Sequence, residues 1–517
     1  MWTEASCAVR CRPKRSTWLI LGFGLLALVI RVIYVLGWMK GIPVRGDAFY
    51  YHYGAQLLAD GKGFPDPIVS LGKLRLVPGA QHPPLYIVAL AVPSVLGFTS
   101  FLDHQLFSCV VGAASVVLIG LTGRRLAGPV VGAAAAGIAA LYPGLWVHDG
   151  LVMSETLAIF LTTAVALAAY RVIERPTAVR AAALGCLVGL AALTRAELLL
   201  LAVFVVLPVA TRRARRGSAR VGYRHRAATL GVALLGCVVV MAPWLGYNLT
   251  RFHHPELVTS SLGNTLYVGN SPVTWSGPHK GWWDFSLMLA PPPPGDASDQ
   301  DLAYRRLALR FVADHASQLP DVLLAREGRV WSLHRPSQQA TLDAQETPNL
   351  AGVLQAGQVF FYPLAVSAIA GGILLSRRRT PLAPIIAPIL TTTIITAVFY
   401  GELRYRAPAE PMIVLLAAVA LVALAQAVRS GTAAPAAARH PADITIRSQT
   451  GHALEGSRVD VASPDEERPA SPVRPGRADA ICEHLPHPGR PSRVVPSDVV
   501  VGEPAIPTSK SAVEPER

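Results

Sequence analysis

At 517 residues, with 52% apolar and 15% charged side chains, the chain is too apolar for an ordinary soluble enzyme. Many apolar runs approach the ~20 residues that cross a bilayer, which predicts a polytopic membrane protein. The formal net charge of +14 falls largely in short clusters beside those runs, a positive-inside pattern that argues against nucleic-acid binding.

Residues 1–17 form a basic N-terminus (Arg10, Arg12, Lys14, Arg15) without a small-residue cleavage site, read as a cytoplasmic, retained anchor. The first span is Trp18–Trp38. Arg31 lies inside it and requires a partner, for which an acidic residue of the bundle is expected. A first external loop, 39–104, follows. It carries Arg45-Gly46-Asp47-Ala48, then Tyr50 to Phe64 as a short amphipathic helix, then His82-Pro83-Pro84-Leu85-Tyr86. The apolar segment Pro83–Phe98 is short and interrupted by Pro93. Counting it as a span would send Arg124-Arg125 outside, so it reads as a re-entrant or interface-lying helix.

Nine further spans are expected: Gln105–Thr122, Pro129–Trp146, Val152–Val172, Ala181–Thr194, Leu198–Thr211, Ala227–Tyr247, Ala356–Leu375, Leu382–Phe399 and Ala409–Val428, making about ten. Thr194-Arg195-Ala196-Glu197 then sits at the outer turn of two short helices, which keeps Arg195 and Glu197 out of lipid. Segment 248–355 is a large external loop. Pro291 to Pro294 mark irregular chain. Ser298 reads as an N-cap with Asp301 three residues on, and a broken helical stripe splits near Pro320. Residues 429–517 are rich in Ala, Pro, Arg and Ser and read as a disordered cytoplasmic tail. Six cysteines are present; Cys109, Cys186 and Cys237 lie in apolar runs, Cys7 and Cys11 precede the first span and Cys482 is in the tail. No disulfide framework, zinc spacing or redox site is visible among them.

With this topology the unusual polar residues collect on the outer side: Asp47, His52, His82, His148, Asp149, Glu155, Arg195, Glu197, Asn248, Arg251, Asn270, Arg404 and Arg406. Such convergence at one face predicts a single external site. Asp47 is placed to act as a base on a substrate near the lipid; the alternative is a helix cap. His82 is a substrate contact or a structural hydrogen-bond partner. Glu155 starts a span and either orients a substrate or pairs with an arginine. Arg195, Arg404 and Arg406 are candidates for an anionic phosphate, which a guanidinium grips through two parallel hydrogen bonds. The Arg404/Arg406 pair could otherwise anchor headgroups.

Several segments, in this order, resemble a known family: Arg45-Gly46-Asp47-Ala48 with Tyr50 to Phe64, His82-Pro83-Pro84-Leu85-Tyr86, Met153-Ser154-Glu155-Thr156, Leu193-Thr194-Arg195-Ala196-Glu197, Pro243 to Asn248, Gly269-Asn270-Ser271-Pro272 and Arg404-Tyr405-Arg406-Ala407-Pro408. Together, residues 18–428 resemble the GT-C fold glycosyltransferases, specifically the family 39-like group of protein O-mannosyltransferases and the lipid A aminoarabinose transferase. The resemblance implies an all-α integral membrane fold with external juxtamembrane helices. It implies a polyprenyl-phosphate-linked sugar as donor, inversion at the anomeric carbon, no cofactor and little need for a metal. By the same likeness Asp47 is the catalytic base and Glu155 lies near the site; His82, Arg195, Asn270, Arg404 and Arg406 remain the candidate donor-phosphate or substrate contacts. Several relatives carry a further external domain after the last span; this chain has only the tail there. Acceptor recognition is thereby left to segment 248–355.

The expected protein is therefore a multi-pass plasma-membrane glycosyltransferase, moving a hexose or pentose to an extracytoplasmic glycan, lipid or protein. Its partners would be membrane lipids, the lipid-linked donor and that acceptor, with no nucleic acid. A transporter or lipid-glycan flippase is the alternative. It is disfavoured because no internal repeat is visible and the polar residues gather at one face. A scaffold acting through the tail would leave the clustered polar residues unexplained.

Overall fold

The computed structural model describes residues 13–212, 222–345 and 347–432. The expected tail beyond Thr432, Cys7, Cys11, Cys482 and part of the Arg212–Arg226 basic cluster lie outside these. The described chain is all-α; its only β feature is one isolated bridge, Pro65 to Pro78. Six helices are long and apolar enough to cross a membrane: Arg15–Trp38, Phe101–Ala127, Glu155–Glu174, Tyr223–Arg251, Ala351–Arg377 and Glu410–Ser430. A seventh crossing is formed if Pro129–Leu141 and Pro143–Leu151, bent by 73° at Tyr142, count as one. The chain is thus a multi-pass membrane protein.

The expected count of about ten spans is not reached. Helix forms in every one of the ten segments, but Ala178–Ala192, Ala196–Thr211 and Ala383–Val398 have fewer than 18 residues. At 1.5 Å per residue such helices fall short of the ~30 Å hydrocarbon core. Leu85–Val95 has eleven residues and is likewise below the length of a span; the structure does not establish it as a re-entrant element.

Two apolar cores organise the bundle. In one, the first helix packs on Phe101–Ala127 and Pro129–Leu141, with the last helix against Ala351–Arg377. In the other, Glu155–Glu174, Ala178–Ala192 and Tyr223–Arg251 pack together. The closest approach in this second core uses Gly185 and Gly189 on one helix against Ala233 and Cys237 on its partner. A Cβ at Gly185 would lie 1.7 Å from the Ala233 carbonyl oxygen. Small residues four apart allow such backbone contact, where dispersion rather than water exclusion holds helices together.

Segment 253–345 is mostly short helices capping one end of the bundle. Ala297–Asp314 begins at Asp296, not at the expected Ser298. Asp296 accepts from the Ser298 and Asp299 amides while Asp299 reaches back to the Asp296 amide, closing a capping box. The next helix, Leu319–Val330, has Pro320 in its first turn, where its missing N–H would be unpaired anyway. Arg326 and Arg329 project from it and fasten the segment down. Arg326 donates to the Ala397 and Gly269 carbonyls, each at 2.8 Å, and Arg329 to those of Lys280 (2.5 Å) and Pro278 (2.9 Å).

Candidate active site

At the capped end lies a cavity of about 1010 Å³. Its walls come from the start of the Gly46–Ala59 helix, the His82–Pro83 loop, the turn after Tyr142, the Thr194–Glu197 turn, segment 261–289, the Asp343 turn and the Glu402–Arg406 turn. Backbone bonds hold these pieces in register. The Leu85 amide donates to the Leu193 carbonyl at 2.8 Å, tying the His82 loop to the Arg195 turn, and Tyr247 Oη donates to the Phe64 carbonyl at 2.9 Å.

Asp47 stands in the first turn of Gly46–Ala59. Gly46 has φ +52°, a left-handed backbone that favours glycine, and this bend starts the helix at the cavity wall. Asp47 Oδ2 accepts from Arg404 Nη1 at 2.5 Å, and Oδ1 lies 3.3 Å from His82 Nε2. The His82 ring is bedded against Tyr50 and Tyr51, at centroid distances of 4.8 and 5.0 Å. Burial alone would lift the Asp47 carboxyl. His82 and Arg404 outweigh it and hold Asp47 well below the usual carboxylate range.

Two guanidiniums line the cavity, and each is bracketed by two carboxylates. Arg404 donates Nη1 to Asp47 and Nε to Glu402 Oε2 at 2.7 Å. Arg195 donates Nη1 to Glu155 and Nε to Glu197 Oε1 at 2.5 Å. Both sit near the Tyr405 ring, at 5.9 and 5.4 Å from its centroid. In both, Nη2 has no protein partner among the described residues. Glu402 has a second carboxylate neighbour, Asp343, which accepts from the Leu403 amide at 3.0 Å and from Gln339 Nε2 at 2.6 Å. Burial, with Glu402 adding to it, pushes the Asp343 carboxyl up to about 8. Burial also raises Glu402, with Arg404 opposing.

The residues expected to converge are therefore brought together in part. Asp47, His82, His148, Arg195, Glu197, Arg404 and Arg406 line the cavity. Glu155 does not; it is fully buried behind Arg195, so it reaches the cavity only through that arginine. Arg406 touches the lining, but its guanidinium is engaged inside the fold. It pairs with Glu410, donates to the Val330 carbonyl and Ser332 Oγ at 3.1 Å each, and lies 3.8 Å from the Phe361 ring centre. A phosphate grip by Arg406 does not fit that arrangement. Asn270 is a joint of the capping segment, away from the cavity. Its Oδ1 accepts from Trp275 Nε1 at 3.1 Å and Arg326 Nη2 at 2.9 Å. Asp149 pairs with Arg31 at 2.6 Å within the bundle, supplying the partner that arginine requires. His52 is paired with His104 at 3.0 Å beneath the Asp47 helix.

Glu402 and Asp343 were not singled out in the sequence. Glu402 carried one cue, a carboxylate two positions before Arg404, although the chain passes there from extended Glu402 into the 3₁₀ helix Leu403–Arg406. Asp343 carried none.

The expectation of little need for a metal is corrected by a group away from the cavity lining. Ligand atoms of His253, Asp296 and Asp299 lie within 4.8 Å of one another, a set able to hold a metal ion. Distance in sequence hid it, since His253 is separated from both carboxylates by more than forty positions. The same carboxylates serve the capping box. Hydrogen bonding to Asp299, then the nearby Asp296, raises the His253 imidazole.

The model of the family described as dolichyl-phosphate-mannose-protein mannosyltransferase matches residues 81–247, a minority of the chain. No curated protein matches it by sequence. Among solved structures, the chain is similar to the Archaeoglobus fulgidus oligosaccharyltransferase AglB in complex with an inhibitory peptide and a dolichol-phosphate. The identity is 12%, over 81% of this chain and 52% of that one, with a TM-score of 0.46. An Archaeoglobus fulgidus oligosaccharyltransferase in complex with Zn and sulfate gives 11% identity over 80% of this chain and 50% of that one, with a TM-score of 0.49. ArnT from Cupriavidus metallidurans bound to undecaprenyl phosphate gives 16% identity over 80% of each chain and a TM-score of 0.37. The chain spans about half the length of the archaeal protein. At these scores the likeness carries no argument about activity, which has to come from the site.

Proposed function

We propose that the chain is a membrane glycosyltransferase that takes a sugar from a polyprenyl-phosphate donor and passes it to a hydroxyl acceptor on the extracytoplasmic side. One observation carries this reading: a carboxylate fixed at a helix start shares a single membrane-end cavity with two pre-positioned guanidiniums. Apolar side chains such as Ile68, Phe285, Met288 and Leu289 line the same cavity, as a lipid-linked substrate requires.

Asp47 takes the proton from the acceptor hydroxyl as its oxygen attacks the anomeric carbon from the side opposite the phosphate. The bond from that carbon to the phosphate oxygen breaks, and the electron pair leaves with the lipid phosphate. Arg404 and Arg195 offer their unpartnered Nη2 groups to the charge that develops there. Configuration inverts because attack and departure occur on opposite faces. Glu155 and Glu197 hold the Arg195 guanidinium in place.

The reading is tested by incubating the purified chain with polyprenyl-phosphate sugars and measuring released polyprenyl phosphate. Absence of release and of transfer across a panel of hexosyl and pentosyl donors and hydroxyl acceptors sinks it, and favours a transporter. The orientation is tested separately, by labelling introduced cysteines from outside. Cysteines near Pro278 are expected to react and those near Arg124 to be protected; the reverse overturns the assignment of sides.

A further inference from the structure

The contact that places Asp47 also disables it. A carboxylate bonded to a guanidinium at 2.5 Å is a poor proton acceptor, because taking up a proton means giving up the ion pair. The same guanidinium is the group best placed to receive the donor phosphate. A phosphate docked on its Nη groups would stand against the Asp47 carboxylate bonded there, so the two anions compete for the guanidinium. Glu402 makes the choice productive. It holds Arg404 by Nε, at 2.7 Å, a nitrogen that Asp47 does not use, so the guanidinium can change partner at Nη1 while that anchor is kept. All three line the cavity, Asp47 and Arg404 each about a quarter exposed and Glu402 the most covered: the anchor is the least solvated of the three.

Resting on the transferase reading, we propose that the donor phosphate takes Arg404 from Asp47, so that the base is freed only once donor is bound, and that Glu402 is the positioning residue for this handover. The acceptor hydroxyl then meets a competent base only in the donor complex. An empty cavity holds no free carboxylate base at position 47, and donor precedes productive acceptor binding.

The two carboxylates on Arg404 carry equal charge, so plain repulsion of an anion predicts the same response when either is neutralised. The handover predicts opposite responses. The probe is a sugar-free polyprenyl phosphate titrated into the full chain in lipid nanodiscs, which requires no knowledge of the sugar. Asp47→Asn removes the competitor and is expected to tighten binding by about threefold to thirtyfold, the range of coupling between groups in contact. Glu402→Gln leaves Asp47 as the only carboxylate on the guanidinium and is expected to weaken binding by roughly threefold or more. In an Arg404→Gln background the Asp47→Asn gain should vanish. Glu402→Asp, which keeps the charge, should restore most of the wild-type affinity, and it serves as the folded comparison if Glu402→Gln is poorly produced. Tighter binding in both single carboxylate variants, or an Asp47→Asn gain that survives without Arg404, overturns the handover and leaves the transferase reading intact. A wild-type chain with no affinity for polyprenyl phosphate overturns both.

Discussion

Arginine–carboxylate pairs occur in two regions of this molecule, and they are built differently. Inside the bundle, Arg31 and Asp149 have side-chain exposures of 1% and 0%, and Arg406 and Glu410 of 4% and 2%. There the match is one to one, and further hydrogen bonds support each pair: Arg31 donates to the Ala27 carbonyl and Arg406 to Ser332 Oγ, while Thr156 donates to Asp149 and Tyr142 to Glu410. At the cavity, Arg404 is 26% exposed and Arg195 11%. Each has two carboxylates, one on Nη1 and one on Nε. A closed pair is sealed from any ligand by its burial; a bracketed guanidinium is reached from the cavity and can exchange one of its carboxylates for another anion. Residue type alone does not separate the two, as Arg404 and Arg406 stand two positions apart.

Four predictions test this contrast. The largest effect is expected at Asp47. Asp47→Asn should lower sugar transfer ~10²–10⁴-fold, the usual loss with a general base, while leaving the amount of folded protein unchanged. Asp60→Asn is the control. Asp60 is exposed and meets only Lys62, at 3.0 Å, so its variant should transfer at the wild-type rate. Equal rates for the two variants would show that position 47 is not the base.

Next comes the interior pair. Asp149→Ala leaves a guanidinium buried without its counter-charge, which typically costs about 3–5 kcal/mol. Folded yield in detergent should drop sharply, and the double variant Arg31→Met/Asp149→Ala should recover part of it. A normal melting temperature for Asp149→Ala would break the distinction between closed and open pairs. Third, Arg404→Ala should cut transfer at least tenfold with a melting temperature near wild type, since its ion pairs are partly solvated. Arg406→Ala should do the reverse, destabilising the fold by way of Glu410 and the Phe361 stack. If Arg406→Ala melts normally but fails to release polyprenyl phosphate, Arg406 belongs with the cavity group.

The smallest effect concerns acid. Burial lowers the His52 imidazole from 6.5 to about 4. Between those values the unfolded chain binds a proton that the folded chain refuses, so stability falls as pH drops from about 6.5 to about 4 and is regained above. Melting curves at pH 7.5 and 5 should therefore differ more for the wild type than for His52→Gln. An identical difference would show that the His52–His104 contact does not resist protonation.

Much of this was readable in the sequence, for identifiable reasons. Hydropathy finds every apolar segment, because each helix facing lipid or core must be apolar. It overcounts crossings, because it does not register that Pro143 bends one helix or that 178–192 and 383–398 are too short. Asp47, Arg195 and Arg404 stood out as charges at the ends of apolar runs, where an idle charge is costly. The partners of those charges did not stand out. Asp343 reaches Glu402 through folding of a segment without strong periodicity, and Arg406 could be told from Arg404 only by knowing where Glu410 and Ser332 point. Arg326 and Arg329 share the buried stripe of Val322 and Val330 at helical spacing. That position alone marked them as buried cations, though not what would receive them.

What receives Arg326 and Arg329 is mostly the oxygen of peptide groups, not acids. Peptide carbonyls carry no proton equilibrium in the range a cell envelope experiences. The cover over the cavity is therefore clasped by bonds that neither acidification nor a change of counter-ions dissolves readily. Glu402 on the facing wall and Asp343 at the cover's own edge are ionisable. Acid can thus retune the chemistry at the cavity wall while the carbonyl clasps of Arg326 and Arg329 hold.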